Sequence, residues 1–98
     1  IAIDQARLLT LNAAWKIDTV GVKHAMTEIS AIKVAVPRMA EEVVNMAVQL
    51  HGGAGMCGDF PLAHFAAGVR ALRLADGPDE VHMGMVTRLE LKKHMNRV

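Results

Sequence analysis

The 98-residue chain is 52% hydrophobic but only 3% aromatic, and its 11 basic and 10 acidic residues leave a formal net charge of +1. That balance excludes the basic patch that nucleic acid or an anionic lipid surface demands, and no apolar run approaches the roughly 20 residues needed to cross a bilayer. The single cysteine, Cys57, excludes an internal disulfide framework and fits a reducing compartment.

The apolar content is Ala, Val, Leu, Ile and seven Met with no Tyr, a composition suited to helix packing, and the length holds one domain at most. The chain starts at Ile1, inside what reads as a helix and without a signal peptide, so residues 1–98 are expected to be one domain of a longer polypeptide. Segment one spans about Ile1 to Val20, with Leu8, Leu11, Trp15 and Ile17 at helical spacing and Gly21 as its stop. Trp15, with Leu8 and Leu11 on its face, is expected in the core. Thr27 is a candidate cap for segment two, about Met26 to Leu50.

In segment two Ile29, Ile32, Val36, Met39, Val43, Met46 and Leu50 step by three or four, and four alanines widen the stripe. A helix this apolar should be central. Pro37 removes the bond to the Lys33 carbonyl, yet the period continues across it, so one kinked helix is expected rather than two. Gly52, Gly53, Gly55 and Gly58 then form a loop, closed by Asp59-Phe60-Pro61, where Asp59 can cap and Pro61 can occupy a first turn. Segment three, about Pro61 to Leu74, sets Leu62, Phe65, Val69 and Leu72 on one face. Segment four starts at Gly77-Pro78 and runs to about His94, acidic in its first turn and basic in its last, as the helix dipole favours. No strand alternation, repeat or low-complexity tract appears. The expected fold is all-α, an up-and-down four-helix bundle.

Two places could carry chemistry. Asp76 stands before a helix that begins with Pro78 and beside Gly77, so its carboxylate either caps segment four or serves a site there. Gln49, Gly52 and Gly53 end segment two, and C-terminal glycines alone account for two of the three. His51, Cys57, Asp59 and His64 include metal-ligand types, but their spacing fits no zinc pattern and no metal is expected.

The runs Gln49-Leu50-His51-Gly52-Gly53-Ala54-Gly55 and Leu74-Ala75-Asp76-Gly77-Pro78-Asp79-Glu80, in this order and separated by one helical segment, resemble the C-terminal helical domain of the acyl-CoA dehydrogenase family. Asp59-Phe60-Pro61 and Arg70 stand where that family has Asp-Tyr-Pro and a basic residue. The string from Leu74 to His82 is similar to the branch that includes acyl-CoA dehydrogenase family members ten and eleven. The resemblance implies an FAD-dependent α,β-dehydrogenation of an acyl-CoA thioester, with Asp76 as the base that removes the α-proton and the β-hydrogen leaving as hydride to the flavin. It implies that Ala75 and Gly77 flank the substrate. It also implies that Gln49, Gly52 and Gly53 approach the adenosine–pyrophosphate end of FAD bound mainly to a neighbouring subunit, hence a homo-oligomer, with an electron-accepting flavoprotein as partner.

The chain departs from the family pattern in four positions. Asp76 is one methylene shorter than the usual Glu, Ala75 replaces a common aromatic, and Pro78 and Glu80 replace the usual Thr and Gln near the flavin. Mitochondrial, peroxisomal and bacterial cytoplasmic settings all fit. The alternatives are an oxidase-like or non-CoA flavoprotein of the same fold, and a non-catalytic helical module in which Asp76 only caps.

Overall fold

A computed structural model describes residues 1–96, and within them the chain is helical without strands. Four helices form: α1 (Ala2–Val20), α2 (Met26–His51), α3 (Leu62–Ala71) and α4 (Asp79–Met95). They make a rod of 56 × 23 × 20 Å. The expected all-α, four-helix architecture is what folds.

Helix α2, at 26 residues, is the spine, as its all-round apolar pattern requires. It continues unbroken through Pro37, which is buried. Helices α1, α3 and α4 each pack on α2 and not on one another. The chain reverses at Gly21 (φ 83°), and α1 returns along the first half of α2, where Lys16 pairs with Glu28. Ala6 and Ala13, seven residues apart, are buried in that seam, and their small side chains let the two helices approach closely. Helix α3 runs back along the second half of α2, and α4 continues in the same direction along the first half. Arg38 of α2 therefore meets Asp79 at the start of α4.

Several local expectations change. Thr27 does not cap α2. A 3-10 turn over Val22–Ala25 feeds into the helix, Ala25 holds the cap position, and Thr27 lies inside the first turn. Asp59 does not cap α3, which begins three residues later with Pro61 at the cap position. Helix α3 ends at Ala71 rather than Leu74, because the chain tightens into bonds from Arg73 N–H to the Arg70 carbonyl and from Leu74 N–H to the Ala71 carbonyl. Trp15, Leu8 and Leu11 do share a face, but it is not core: they are 61%, 68% and 58% exposed. Periodicity places residues on one side of a helix without saying whether this stretch of chain covers that side.

Candidate functional site

A groove of about 620 Å³ lies between α2, the start of α4 and the turn that joins α3 to α4. Met26, Ile29 and Val36 of α2 and Val81 and Met85 of α4 give it apolar walls, and Asp76 and His82 stand along it. This volume is in the range of small-molecule sites.

Asp76 is the one non-glycine residue with positive φ among the described residues, at 54°. Left-handed backbone is unfavourable for an L-residue, least so for Asp and Asn, and it persists only where surroundings impose it. Here two side chains impose it. Lys33 Nζ, from α2, donates to the carbonyls of Leu72 (2.6 Å), Ala75 (2.8 Å) and Gly77 (3.4 Å). His82 Nε2, from α4, donates to the Asp76 carbonyl at 3.1 Å. The Asp76 carboxylate itself has no hydrogen-bond partner among the described residues, and the residue is exposed. It does not cap α4: Pro78 holds the cap position and no side chain bonds there. Gly77 has φ 97°, and a Cβ at that position would stand 2.9 Å from His82 Nε2. The positive φ favours glycine, and a Cβ would also have to displace the His82 ring.

Beneath this turn lies an ion cluster. Asp79, 3% exposed, accepts through one oxygen from Arg73 Nε at 2.8 Å and Arg38 Nε at 3.0 Å. Its backbone N–H donates to the Arg73 carbonyl at 3.1 Å, and Arg73 also reaches both Glu41 oxygens at 3.4 Å. Burial pushes the Asp79 carboxyl up, but the bonds from Arg73 and then Arg38 outweigh it and hold the group below its ordinary range. The second Asp79 oxygen is buried and has no partner among the described residues.

Gln49, Gly52 and Gly53 come together at the far end of α2. Gln49 is exposed, and Gly52, at φ 62°, ends the helix with its N–H on the Gln49 carbonyl. Gly53 has ordinary φ, and nothing lies within 4 Å of a Cβ built on it. Gly55 differs, because a Cβ there would stand 2.8 Å from the Val48 carbonyl. Asp76 therefore lines the groove, with Ala75 and Gly77 beside it in the turn but not among the lining residues, while Gln49, Gly52 and Gly53 lie away from it. Along α2 the distance from Lys33 to Gly52 is roughly 28 Å. Within one chain the two groups do not meet.

Lys33, Arg38 and Arg73 carry no motif and escape a reading of the sequence, and Asp79 stands within the run from Leu74 to Glu80 without its ion pairs being legible there. The available signal was two cations, Lys33 and Arg38, set in the most apolar stretch of α2. The metal-ligand types behave differently: among the described residues no three His, Cys, Asp or Glu gather closely enough to hold an ion. No helix among them is long and apolar enough to cross a membrane.

Residues 1–91 match the family model described as acyl-CoA dehydrogenase, C-terminal domain. The chain is 50% identical over 98 residues to acyl-CoA dehydrogenase family member 11 of Mus musculus, covering 100% of this chain and 13% of that protein. It is 51% identical over 92 residues to family member 10 of the same species, covering 94% of this chain and 9% of that protein. A solved structure from Mycobacterium abscessus, assigned as an acyl-CoA dehydrogenase, superposes with a TM-score of 0.93 at 60% identity, over 96% of this chain and 23% of that one.

Proposed function

The chain belongs to the acyl-CoA dehydrogenase family as a C-terminal helical domain, and from that premise we propose that it works within a longer FAD-dependent flavoenzyme that desaturates acyl-CoA thioesters, with Asp76 as the base. The chain spans 13% of the length of the mouse relative, so the rest of the substrate and flavin pockets must come from elsewhere, and the 98 residues alone are expected to be inactive.

The observation that carries the reading is the state of Asp76. Its carboxylate is unpartnered at the edge of an apolar groove, while the backbone beneath it is held in a left-handed conformation by side chains from two helices. A residue that only terminated or capped a helix would use its carboxylate on the helix. Backbone strain of this kind concentrates at functional positions. Asp is shorter than Glu, and the positive φ offers a physical route to compensation, because it changes the direction in which the side chain leaves the backbone. Ala75 and Gly77, small and on either side, leave room for the thioester. Asp76 takes the α-proton onto a carboxylate oxygen; exposed in this chain, it is shielded from water once substrate and the rest of the enzyme cover the groove.

The Gln49 end fits one edge of a flavin nucleotide: Gly53 has open space where a side chain would stand, and the Gln49 amide makes no bond within the described residues. In the Asp76 groove a bound FAD would supply the hydride acceptor for the β-hydrogen, and the nucleotide end held at Gln49, Gly52 and Gly53 would belong to a second flavin. Because Gln49, Gly52 and Gly53 lie far along α2 from Asp76, they serve the flavin of a neighbouring subunit, which makes a homo-oligomer part of the proposal. An electron-accepting flavoprotein would then reoxidise the enzyme.

The test is an anaerobic titration of the full-length flavoenzyme with acyl-CoAs of graded length, following flavin absorption, with and without Asp76→Asn. Bleaching is expected in the parent and should slow by about a thousandfold in the variant. Bleaching that survives unchanged moves the base elsewhere. No bleaching with any acyl-CoA overturns the substrate class.

A further inference from the structure

The turn that presents Asp76 has no regular secondary structure, and its backbone is held by side chains from outside it. Lys33 is the principal one. Its ammonium gathers the carbonyls of Leu72, Ala75 and Gly77 at 2.6, 2.8 and 3.4 Å. An ammonium has three N–H donors, and here all three directions are used on one segment of backbone. The Ala75 carbonyl belongs to the peptide that sets the φ of Asp76, and the Gly77 carbonyl lies one peptide beyond the one that sets its ψ. The carbonyl between them, that of Asp76, is taken by His82. Four carbonyls that α3 and the turn would otherwise leave to water thus converge on two side chains. Lys33 reaches them from the first half of α2, the most extensively packed helix of the fold.

We propose that Lys33 is the positioning residue of the Asp76 turn: its ammonium fixes the backbone on both sides of Asp76 and so sets where the carboxylate stands against the substrate. This rests on Asp76 being the base, and it adds to that reading a residue that lines the same groove but acts through the backbone of the turn rather than on the reacting atoms. His82 is the second anchor, from the opposite wall. A displacement of about 1 Å at a reacting carboxylate costs on the order of a hundredfold in rate, so losing the clasp should be felt in chemistry rather than in binding.

The experiment uses the full-length flavoenzyme and the variants Lys33→Met, which keeps length without donors, and Lys33→Arg, which keeps a cation with several donors. Lys33→Gln serves if Lys33→Met fails to accumulate. Lys33→Met should bleach with acyl-CoA about a hundredfold more slowly at saturation, with FAD content and the half-saturating acyl-CoA concentration changed less than about threefold. Lys33→Arg should recover roughly tenfold of that loss. In an Asp76→Asn background Lys33→Met should cost less than about threefold more, because a positioning residue has nothing left to position. Hydrogen exchange of the 72–77 amides should quicken in Lys33→Met while that of α1 stays unchanged. Unchanged exchange in the turn overturns the clasp. Faster exchange with a normal bleaching rate, or an equal loss in both backgrounds, overturns its catalytic role. Should Asp76→Asn bleach like the parent, it is the base assignment that has failed, and exchange of the 72–77 amides alone decides the clasp.

Discussion

Between Leu72 and Asp79 the backbone is held by side chains from two other helices, whereas between Gln49 and Gly53, among the described residues, it is held by the α-helical and 3-10 bonds of its own segment, with Gly52 N–H on the Gln49 carbonyl. Both segments are short turns that leave a helix, and both use glycine with positive φ. The first is over-determined from inside the chain by Lys33, His82, Arg38 and Arg73. The second has an unbonded amide and a glycine with open space around it. A rigid turn suits a group whose position against a reacting atom must be exact to a fraction of an ångström. An open turn suits a surface completed by something else. The contrast yields predictions of descending size.

The largest effect should come from Asp79→Ala. It leaves Arg38 and Arg73 facing each other without their shared carboxylate, at a position where Asp79 is buried. Breaking a buried pair by removing one partner is among the most damaging single changes, and the melting transition of the domain should fall by about 10 °C or more. Acyl-CoA bleaching should fall with it, since the same residue anchors the end of the Asp76 turn. A melting curve within about 2 °C of the parent would show that the rigidity of this region does not come from the ion cluster.

Acid should weaken the same region next. The Asp79 carboxyl is held below its ordinary range, because the Arg73 and Arg38 bonds outweigh burial. Glu28 is held low in the same sense: burial raises it, and the hydrogen bond from Lys16, a backbone hydrogen bond and the nearby lysine charges together more than offset this. A depressed folded-state value means that the contribution is present above the unfolded carboxylate range, near about pH 4. It is then lost as pH falls through the folded values. Denaturation midpoints should therefore be flat from about pH 7 to 5 and drop below about pH 4. Asp79→Ala should drop less steeply in acid than the parent, and parallel curves would remove Asp79 from the acid response.

Gly77→Ala follows. Its φ of 97° and a Cβ placed 2.9 Å from His82 Nε2 both oppose the substitution. The cost in stability should be about 1–3 kcal/mol. The bleaching rate should fall by roughly tenfold or more, because His82 must release the Asp76 carbonyl to make room. A Gly77→Ala enzyme with parent-like rate would mean that the left-handed turn is not what aims the carboxylate.

These effects also mark what the sequence could and could not disclose. Helices α1, α2 and α4 were readable to within about two residues because apolar period, glycine stops and terminal charges agree on them. The end of α3 was not, since Leu72 and Leu74 prolong the apolar pattern while Lys33, thirty-nine positions from Leu72, captures its carbonyl. Asp76 and the glycine cluster were legible because each is a run of neighbouring residues. The Arg38–Asp79 bond joins residues forty-one apart and has no local signature at all. Trp15 failed for another reason: its stripe was read correctly as a face, but the described residues leave that face exposed.

The smallest stability effect should be that of Gly53→Ala, and it separates the two turns most sharply. Gly52 must be glycine for its φ of 62° and Gly55 for its approach to the Val48 carbonyl at 2.8 Å, so both are explained by the chain itself. Gly53 is not. Its φ is ordinary and a Cβ would meet nothing within 4 Å, so alanine should change stability by no more than about 0.5 kcal/mol. If the open space at this turn belongs to the flavin of a neighbouring subunit, the added methyl should still weaken cofactor retention. The full-length Gly53→Ala enzyme should then purify with less FAD while melting, once resaturated, like the parent. A normal flavin content would leave Gly53 without a role in cofactor binding, and a large loss of stability would mean that this turn is as tightly determined as the one that carries Asp76.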